Sequence, residues 1–332
     1  MHGWIILDKP IGLGSTQAVS AVKRALRDGG YPRVKVGHGG TLDPLASGVL
    51  PIALGEATKL SGRMLDADKS YDFTIRFGEG TSTLDAEGEV VARSDRRPSL
   101  GEIELVLPRF MGAIEQVPPV YSALKVGGRR AYDLARAGED VTLASRSVTV
   151  HSLQILPGTG RGTARSVVEG DLRPNCGSRG PLHQPAAGSP PRPGEDQVTL
   201  SALVSKGTYI RSLARDIADA LGTVGHVSML RRTKAGPFTL SEAISLDKLG
   251  ELAKARQLEQ ALLPLTAGLD DIPALPVTPD QARALRQGRM LVGIAAKPGL
   301  HLATDQSVPV ALVEASEDEL RPELRVVRGF NL

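Results

Sequence analysis

The chain has 332 residues, of which 41% are hydrophobic, and it carries a net charge of +3. This length and composition are typical of a globular protein with a sizeable core and exclude a disordered or fibrous chain. The single cysteine, Cys176, excludes an intrachain disulfide framework, and the six histidines show no zinc-binding spacing. The net charge is too small to indicate a nucleic-acid partner by itself.

The first residues, MHGWIILDKP, contain a short apolar run that is followed at once by an acid. This pattern predicts a buried strand and not a signal peptide. No stretch of the sequence reaches the ~18 apolar residues of a membrane span. We therefore expect a reducing, cytoplasmic location and no membrane partner.

Strand and helix patterns alternate along the chain. A helix is predicted to begin at Ser15 or Thr16 and to stop at Gly29-Gly30, with an apolar face formed by Ala18, Val19, Val22, Ala25 and Leu26. Further strands are predicted at 49–54, 70–77, 147–156, 196–205, 308–315 and 323–328. Further helices are predicted near 56–65, 99–107, 130–137, 206–222, 245–263 and 279–287. We place a domain boundary near residue 270.

An unusual segment separates two of the predicted strands. Residues 157–197 contain 8 glycines and 7 prolines but few large apolar side chains. Such a segment buries too little apolar surface to offset its ordering entropy. We expect a mobile insert that joins two strands paired with each other.

The segment VGHGGTLDPLASGVL, residues 36–50, is too irregular for a helix or an ordinary strand. Proline favours extended backbone at the residue before it, so Asp43, which precedes Pro44, is predicted in a loop or at a strand end. One interpretation of Asp43 is an Asx turn. The other is a nucleophile or ion-pair partner on a glycine-rich loop that a ligand approaches closely. The segment alone does not decide between them.

Charged residues cluster in two places. The helix predicted at 206–222 carries Arg211 and Arg215 on a flank outside its apolar stripe, which leaves Arg211 available for a role other than core packing. Residues 125–136 and 206–234 are locally basic. Both segments are candidates for contact with the phosphate backbone of a nucleic acid. The alternative is that they are helix faces exposed to solvent.

Six separated stretches together resemble the bacterial TruB family of tRNA pseudouridine-55 synthases. They are GWIILDKPIGLGS, VGHGGTLDPLASGVLPIALGEATK, DKSYDFTIRFGEGTSTLDAEGEV, QVPPVYSALKVGGRRAYDLARAG, SKGTYIRSLARDIADALG and GHVSMLRRTKAGPF. The resemblance covers residues 3–245 apart from the insert. It implies an α+β catalytic domain at 1–269, with a mixed, mainly antiparallel sheet and flanking helices. It also implies a small PUA-like RNA-binding domain at 270–332.

The resemblance implies an isomerase that converts uridine to pseudouridine without a metal or a cofactor. Asp43 matches the catalytic aspartate of this family. It would act as a nucleophile at the anomeric carbon, with proton abstraction at C1′ or C2′ as the rival first step, and the sequence leaves both open. Arg211 matches the family residue that holds this carboxylate anionic. A solvated helix arginine is the alternative for Arg211.

Four further residues match substrate-contacting positions, and a fifth, Lys9, is a candidate from its charge. Tyr71 matches a tyrosine that packs on the target base and removes the proton from C5, while Tyr209 and Leu230 match pocket walls that exclude water. For these three, ordinary core packing is the alternative. His38 matches the histidine that stacks into the space left by the flipped base. The alternative is that His38 is a loop histidine without a functional role. Lys9 is a candidate for phosphate contact.

The implied partner is the T-arm of tRNA, bound by a monomer with no guide RNA and no protein partner. Three other functions compete with this hypothesis. The RNA-guided archaeal and eukaryotic synthases share stretches similar to GTLDP and GTYIR. The bacterial-type sequence LPIALGEATK and the short C-terminus disfavour this RNA-guided function. A non-catalytic tRNA-folding chaperone is the second. A hydrolase is the third, but no histidine or second carboxylate has a recognisable general-base spacing to Asp43.

Overall fold

The structure is a computed structural model that describes residues 1–122, 124–157, 195–318 and 322–332. The strands are β1 Gly3–Lys9, β2 Val36–His38, β3 Ser47–Leu54, β4 Lys69–Phe77, β5 Glu79–Thr81, β6 Val90–Arg93, β7 Gly112–Gln116, β8 Lys125–Val126, β9 Arg129–Arg130, β10 Arg146–Ile155, β11 Gln197–Val204, β12 Gly225–Ala235, β13 Phe238–Thr239, β14 Ala274–Pro276, β15 Leu291–Val292, β16 Gly299–Asp305, β17 Val308–Ala315 and β18 Glu323–Gly329.

The α-helices are α1 Ser15–Asp28, α2 Ser61–Asp66, α3 Leu100–Val106, α4 Ala131–Arg136, α5 Ile210–Ala220, α6 Leu246–Lys254 and α7 Pro279–Arg286. Short 3-10 helices lie at Gly55–Leu60, Leu107–Phe110, Leu240–Glu242, Leu258–Ala261 and Leu265–Gly268. Among the described residues, no helix is both long enough and apolar enough to cross a membrane.

The chain divides into two compact units. The first unit comprises Met1–Asp72, Ala202–Thr208 and Met229–Leu332. The second unit comprises Phe73–Ser201 and Tyr209–Ser228. Strands β4, β11 and β12 each contribute residues to both units.

In the first unit the strand order is β1-β3-β12, with β2 on β3 and β13 on β12. β1 pairs antiparallel with β3 over its whole length, whereas β12 pairs parallel with β3 through Arg231 and Arg232. β1 is buried along almost all of its length, as its continuous apolar run predicts. Helices α1 and α6 pack on one side, where Ala18, Val22 and Leu26 of α1 are buried as predicted.

A second sheet, of order β14-β16-β17-β18-β15, also belongs to the first unit. Leu302, Leu312 and Phe330 of this C-terminal part pack in the same core cluster as Trp4. The strands predicted at 308–315 and 323–328 and the helix predicted at 279–287 are present as β17, β18 and α7. The boundary at residue 270 and the PUA-like identity of residues 270–332 stay predictions.

In the second unit the strand order is β4-β11-β10-β7. β10 and β11 are therefore neighbours, and the Leu156 amide donates to the Thr199 carbonyl at 2.9 Å. This confirms that the strands flanking the glycine- and proline-rich segment pair with each other. The predicted mobility of that segment concerns residues 158–194, which lie outside the described residues.

The α+β class with mixed, mainly antiparallel sheets is confirmed, but the helix predicted at 245–263 is too long. α6 ends at Lys254 because Arg256 adopts a left-handed backbone conformation, with a φ of 55°. The Gln257 amide donates to the Leu252 carbonyl at 2.8 Å, and the Arg256 amide donates to the Ala253 carbonyl at 3.1 Å. These two hydrogen bonds form a Schellman stop with an arginine at the position where glycine is usual.

Candidate active site

Asp43 lies in the loop between β2 and β3, in the first unit. Its carbonyl accepts a hydrogen bond from the Ala46 amide at 3.1 Å, so Asp43 begins a β-turn with Pro44 at the second position. The side chain of Asp43 is half-buried. The predicted loop location is therefore correct, and the role of the carboxylate stays a prediction.

The loop is tied to the start of α1. The buried hydroxyl of Ser15 accepts a hydrogen bond from the Leu42 amide at 2.8 Å and donates to the Leu42 carbonyl at 2.9 Å. The Gly12 amide donates to the Pro44 carbonyl at 2.8 Å. Both residues that flank Asp43 thus have fixed backbone positions, which restricts the directions available to its carboxylate.

Lys9 supports the same loop through buried hydrogen bonds. Its side chain is fully buried, and its ammonium group donates to the carbonyls of Pro10 at 2.8 Å, Leu13 at 2.7 Å and Pro44 at 3.4 Å. This burial disfavours the predicted phosphate contact by Lys9, which stays a prediction. Three carbonyl acceptors replace part of the hydration that this charge loses on burial.

Arg232 of β12 holds the other side of the loop, and the sequence analysis missed it. The residue is only 1% exposed. Its Nη1 donates to the Thr41 carbonyl at 3.1 Å, and its Nε donates to the Val49 carbonyl at 2.7 Å. One rigid guanidinium therefore connects both ends of the segment that carries Asp43.

Gly48 is required where β3 passes β12. Its φ is +103°, and a Cβ added there would lie 2.2 Å from the main-chain oxygen of Arg232. We expect Gly48→Ala to lower the free energy of unfolding by about 2–3 kcal/mol, because backbone strain and overpacking add. Urea unfolding measures this loss.

Gly12→Ala is the matched control for Gly48→Ala. Gly12 also has a positive φ, +84°, but no atom lies within 4 Å of an added Cβ. The free energy of unfolding of Gly12→Ala should therefore fall by the conformational cost alone, about 1 kcal/mol. Equal losses in the two variants would contradict the close approach of β3 to Arg232.

His38, at the end of β2, is half-buried, and its Nδ1 accepts a long hydrogen bond of 3.4 Å from the Gly40 amide. Burial lowers the pKa of His38 below its ordinary value of 6.5, and the positive charge of Arg232 lowers it further. The imidazole is therefore neutral at pH 7. A neutral ring fits the predicted stacking on RNA bases, which stays a prediction.

The lowered pKa of His38 predicts a pH dependence of stability. Between the folded-state pKa and 6.5, the unfolded chain binds the proton better, so this residue makes the protein less stable as pH falls below about 6.5. We expect His38→Gln to lose less unfolding free energy than the unchanged protein between pH 7.5 and pH 5.5. Urea titrations at both pH values test this, and identical losses would contradict it.

Tyr71 and Leu230 also lie in the first unit, on β4 and β12. Tyr71 is half-buried, whereas Phe73 and Ile75, at alternate positions of the same strand, are fully buried. This difference disfavours the ordinary core interpretation of Tyr71. Leu230 is 5% exposed, which fits a pocket wall and a core residue equally well.

Arg211 lies at the start of α5, in the second unit, and it is buried. Its Nη1 contacts Asp85 Oδ2 at 3.0 Å and donates to the Thr83 carbonyl at 2.9 Å. Its Nη2 donates to the Tyr121 carbonyl at 3.0 Å. The solvated-helix interpretation of Arg211 is therefore wrong.

Asp85 is the ion-pair partner that the sequence analysis did not identify. Its Oδ1 accepts hydrogen bonds from the Thr83 hydroxyl and from the Glu87 amide, the latter at 3.1 Å. The carboxylate is thus held in one orientation before it meets the guanidinium. In the stretch STLDAEGEV, Asp85 carries the signal of a side chain that hydrogen-bonds within its own turn, and this signal does not identify a cation partner.

Tyr209 precedes α5 in the second unit and is half-buried. The fully buried side chain of Gln116 accepts from the Tyr209 amide at 2.7 Å and donates to its carbonyl at 3.1 Å. The guanidinium of Arg146 lies 4.7 Å from the centre of the Tyr209 ring. Tyr209 therefore has a fixed backbone and a cation on one ring face.

The two basic segments differ in accessibility. Residues 125–136 form the β8–β9 hairpin and α4, where Lys125, Arg129, Arg130 and Arg136 are exposed. In residues 206–234, four cations form ion pairs: Lys206 with Asp66, Arg211 with Asp85, Arg215 with Asp216 and Arg231 with Asp8. Arg211 and Arg232 are buried, whereas Lys234 is exposed, so phosphate contact by the segment 206–234 stays a prediction.

The predicted site residues divide between the units. Lys9, His38, Asp43, Tyr71 and Leu230 belong to the first unit, and Tyr209 and Arg211 belong to the second. Within the first unit, Arg232 links the Asp43 loop to His38 through hydrogen bonds and charge. The pairing of Asp43 with Arg211 stays a prediction.

Two family models match the chain. The TruB family pseudouridylate synthase N-terminal domain matches residues 27–170, which include Asp43 and Asp85. The tRNA pseudouridylate synthase B C-terminal domain matches residues 211–270, which begin at Arg211.

The chain is similar to known proteins over its full length. It is 57% identical over 331 residues to tRNA pseudouridine synthase B of Zymomonas mobilis subsp. mobilis, covering 100% of this chain and 96% of the relative. It is 58% identical over 332 residues to tRNA pseudouridine synthase B of Novosphingobium aromaticivorans, covering 100% and 98%. A chain of a solved Cbf5-Nop10-Gar1 complex superposes with a TM-score of 0.67 at 26% identity, covering 99% of this chain and 84% of that chain.

Proposed function

The chain belongs to the TruB family of pseudouridylate synthases, and we propose that it isomerises uridine to pseudouridine in tRNA, at position 55 of the T-loop. The reaction breaks the N1–C1′ bond, turns the detached uracil in the pocket, and joins C5 to C1′. Atoms balance without an added reactant, because the proton leaving C5 is matched by a proton taken up at N1. We propose Asp43 as the residue that attacks the sugar or abstracts its proton.

The observation that carries this proposal is the rigid support of the Asp43 loop. Ser15, Lys9 and Arg232 are buried and donate hydrogen bonds to carbonyls of residues 41–49 around the aspartate. A carboxylate that only begins a turn does not need three buried polar side chains to fix its neighbours. A catalytic carboxylate does, since displacement by 1 Å costs about 100-fold in rate.

The other residues have supporting roles in this proposal. Arg211 is the cation that partners the Asp43 carboxylate in this proposal, and its ion pair with Asp85 fixes the direction of its guanidinium. Tyr71, which is half-buried, packs on the target base, and Tyr209 and Leu230 close the pocket against water. His38, neutral because of burial and Arg232, fills the space that the flipped nucleotide leaves.

We further propose that the protein acts in the cytoplasm as a monomer, without a guide RNA or a protein partner. The relatives at 57% and 58% identity carry the name tRNA pseudouridine synthase B, which supports a tRNA substrate. The solved neighbour at 26% identity belongs to a multiprotein complex. The higher identity over the whole chain favours the stand-alone tRNA enzyme.

A product assay with purified protein and a bare tRNA transcript tests the proposal. We expect pseudouridine at one T-loop position, in the presence of a chelator and with no other RNA or protein added. A T-arm stem-loop should also be modified. Absence of pseudouridine from both RNAs would contradict the proposed function, and dependence on an added RNA would favour the guided class.

A further inference from the structure

A basic groove lies on the first unit, beside the C-terminal half of α1. It has a volume of about 1080 Å³ and is lined by α1 residues from Ser20 onward and by the linker that leads into β2. Its exposed cations are Lys23, Arg24, Arg27, Arg33 and Lys35. We call this surface the α1 groove.

The α1 groove concentrates the positive charge of the chain. Residues 20–36 carry five cations and one acid, Asp28, and thus a net charge of +4. Since the whole chain carries +3, the other residues sum to a net charge of −1. Asp28 pairs with Arg27 at 3.0 Å. Within the described part of the chain, no salt bridge engages the other four cations.

The groove lies between two features of the candidate active site. Arg27 lies about 18 Å along α1 from Ser15, which hydrogen-bonds to Leu42 beside Asp43. Lys35 precedes His38 by three residues of extended chain, at most about 10 Å. A strand of RNA that meets His38 therefore reaches Lys35 within a few nucleotides.

The chemistry of the groove fits a phosphate backbone better than a protein partner. Two of its apolar lining residues, Leu26 and Val36, are buried, so the surface offers charge and little accessible apolar area. The core of a protein interface is depleted in charge and rich in apolar contact. Lysine and arginine on exposed stems are the usual ligands of RNA phosphates.

We propose that the α1 groove binds the phosphate backbone of the substrate tRNA, next to the nucleotides that contact His38. This inference rests on the proposed function for the identity of the RNA. The groove acts on affinity and not on the chemical step, because none of its five cations belongs to the Asp43 loop. It is separate from the basic segment 125–136, which lies in the second unit.

Charge reversal on both walls of the groove tests the proposal. Arg24→Glu/Lys35→Glu should raise the Kd for an unmodified tRNA transcript about tenfold at 0.1 M salt. The slope of log affinity against log salt should fall in magnitude by about 1.4–1.8, because each lost phosphate contact removes about 0.7–0.9. Turnover at saturating tRNA should stay within twofold of the unchanged protein.

The matched control is Arg93→Glu/Lys248→Glu, which changes the net charge by the same amount. Arg93 and Lys248 are exposed and pair with Glu79 and Glu251, and neither of them lines the α1 groove. The control should change the Kd less than twofold and leave the salt slope unchanged. Equal effects of the two variants, or no effect of the groove variant, would overturn the proposal.

The design separates this proposal from the proposed function. Pseudouridine formation by the unchanged protein on a T-arm stem-loop reports the function without reference to the α1 groove. If that assay fails while the groove variant loses tRNA affinity, the groove stands and the enzyme assignment falls. If the assay succeeds and the groove variant binds tRNA normally, the groove proposal falls alone.

Discussion

Asp43→Asn is expected to lower the rate of pseudouridine formation at least ~1000-fold and to change the Kd for tRNA less than threefold. Asparagine has nearly the same shape, and the turn depends on the main-chain carbonyl of residue 43, which accepts from the Ala46 amide. The amide is neither a nucleophile at the sugar carbon nor a base. Single-turnover product assays and filter binding on the same tRNA measure the two quantities.

The control for Asp43→Asn is Asp8→Asn, in the same unit. Asp8 is also half-buried, and its carboxylate pairs with Arg231 at 2.9 Å. Loss of that carboxylate should change turnover only a few-fold, because it pairs with a structural arginine. Near-normal turnover by Asp43→Asn would refute the catalytic role of Asp43. A chaperone would remain possible only if the unchanged protein also formed no pseudouridine.

Among the described residues, periodicity predicted all seven α-helices but only seven of the 18 strands, and β12 is the longest strand that it missed. The strand reads GHVSMLRRTKA, and Leu230 and Arg232 share its buried side. A pattern analysis treats arginine as solvent-facing, so a buried arginine in a strand interrupts the expected alternation. Arg232 is buried because its guanidinium donates to carbonyls of the loop, and those acceptors come from residues about 190 positions away. Local sequence does not contain that information.

The sequence predicted the site residues that lie in a recognisable motif, but not the roles of residues that depend on whether a charged side chain is buried. The segment around Asp43 was identified from its glycines and the Asp-Pro pair, and its loop location is correct. Lys9 was a candidate for phosphate contact, which requires an exposed side chain, yet its side chain is fully buried. Two of its acceptors, the carbonyls of Pro10 and Leu13, are local, and the third, the Pro44 carbonyl, is in reach only once β1 and the loop meet. Burial of a charge depends on tertiary contacts, which a linear pattern does not report.

Arg211 and Asp85 show the same limit in the second unit. The helical stripe of α5 correctly excluded Arg211 from the apolar face, but it left a solvated flank open as the alternative. That flank is covered by the turn at Thr83 and by Tyr121, whose carbonyls accept from the guanidinium. Two charges only 7% and 3% exposed then stabilise each other. Their energetic coupling is therefore large and can be measured.

Removing either partner of this pair should cost about 3–5 kcal/mol of unfolding free energy, because the remaining charge stays buried without its counter-ion. Asp85→Leu and Arg211→Met are the single variants, and urea unfolding is the measurement. The exposed pair of Arg93 and Glu79 in the same unit is the control, since Glu79→Gln should cost at most about 1 kcal/mol. Similar losses at both pairs would contradict a special role of burial.

The double variant Asp85→Leu/Arg211→Met decides whether the two charges act on each other. Because it leaves no buried charge, it should be less destabilised than the sum of the two single variants, by about 2–3 kcal/mol. Activity should not recover with stability, since the proposed role of Arg211 toward Asp43 requires the guanidinium. A double variant that regained both activity and stability would show that the pair serves folding alone. A loss of unfolding free energy equal to the sum of the single losses would show that the contact between Arg211 Nη1 and Asp85 Oδ2 does not contribute to stability.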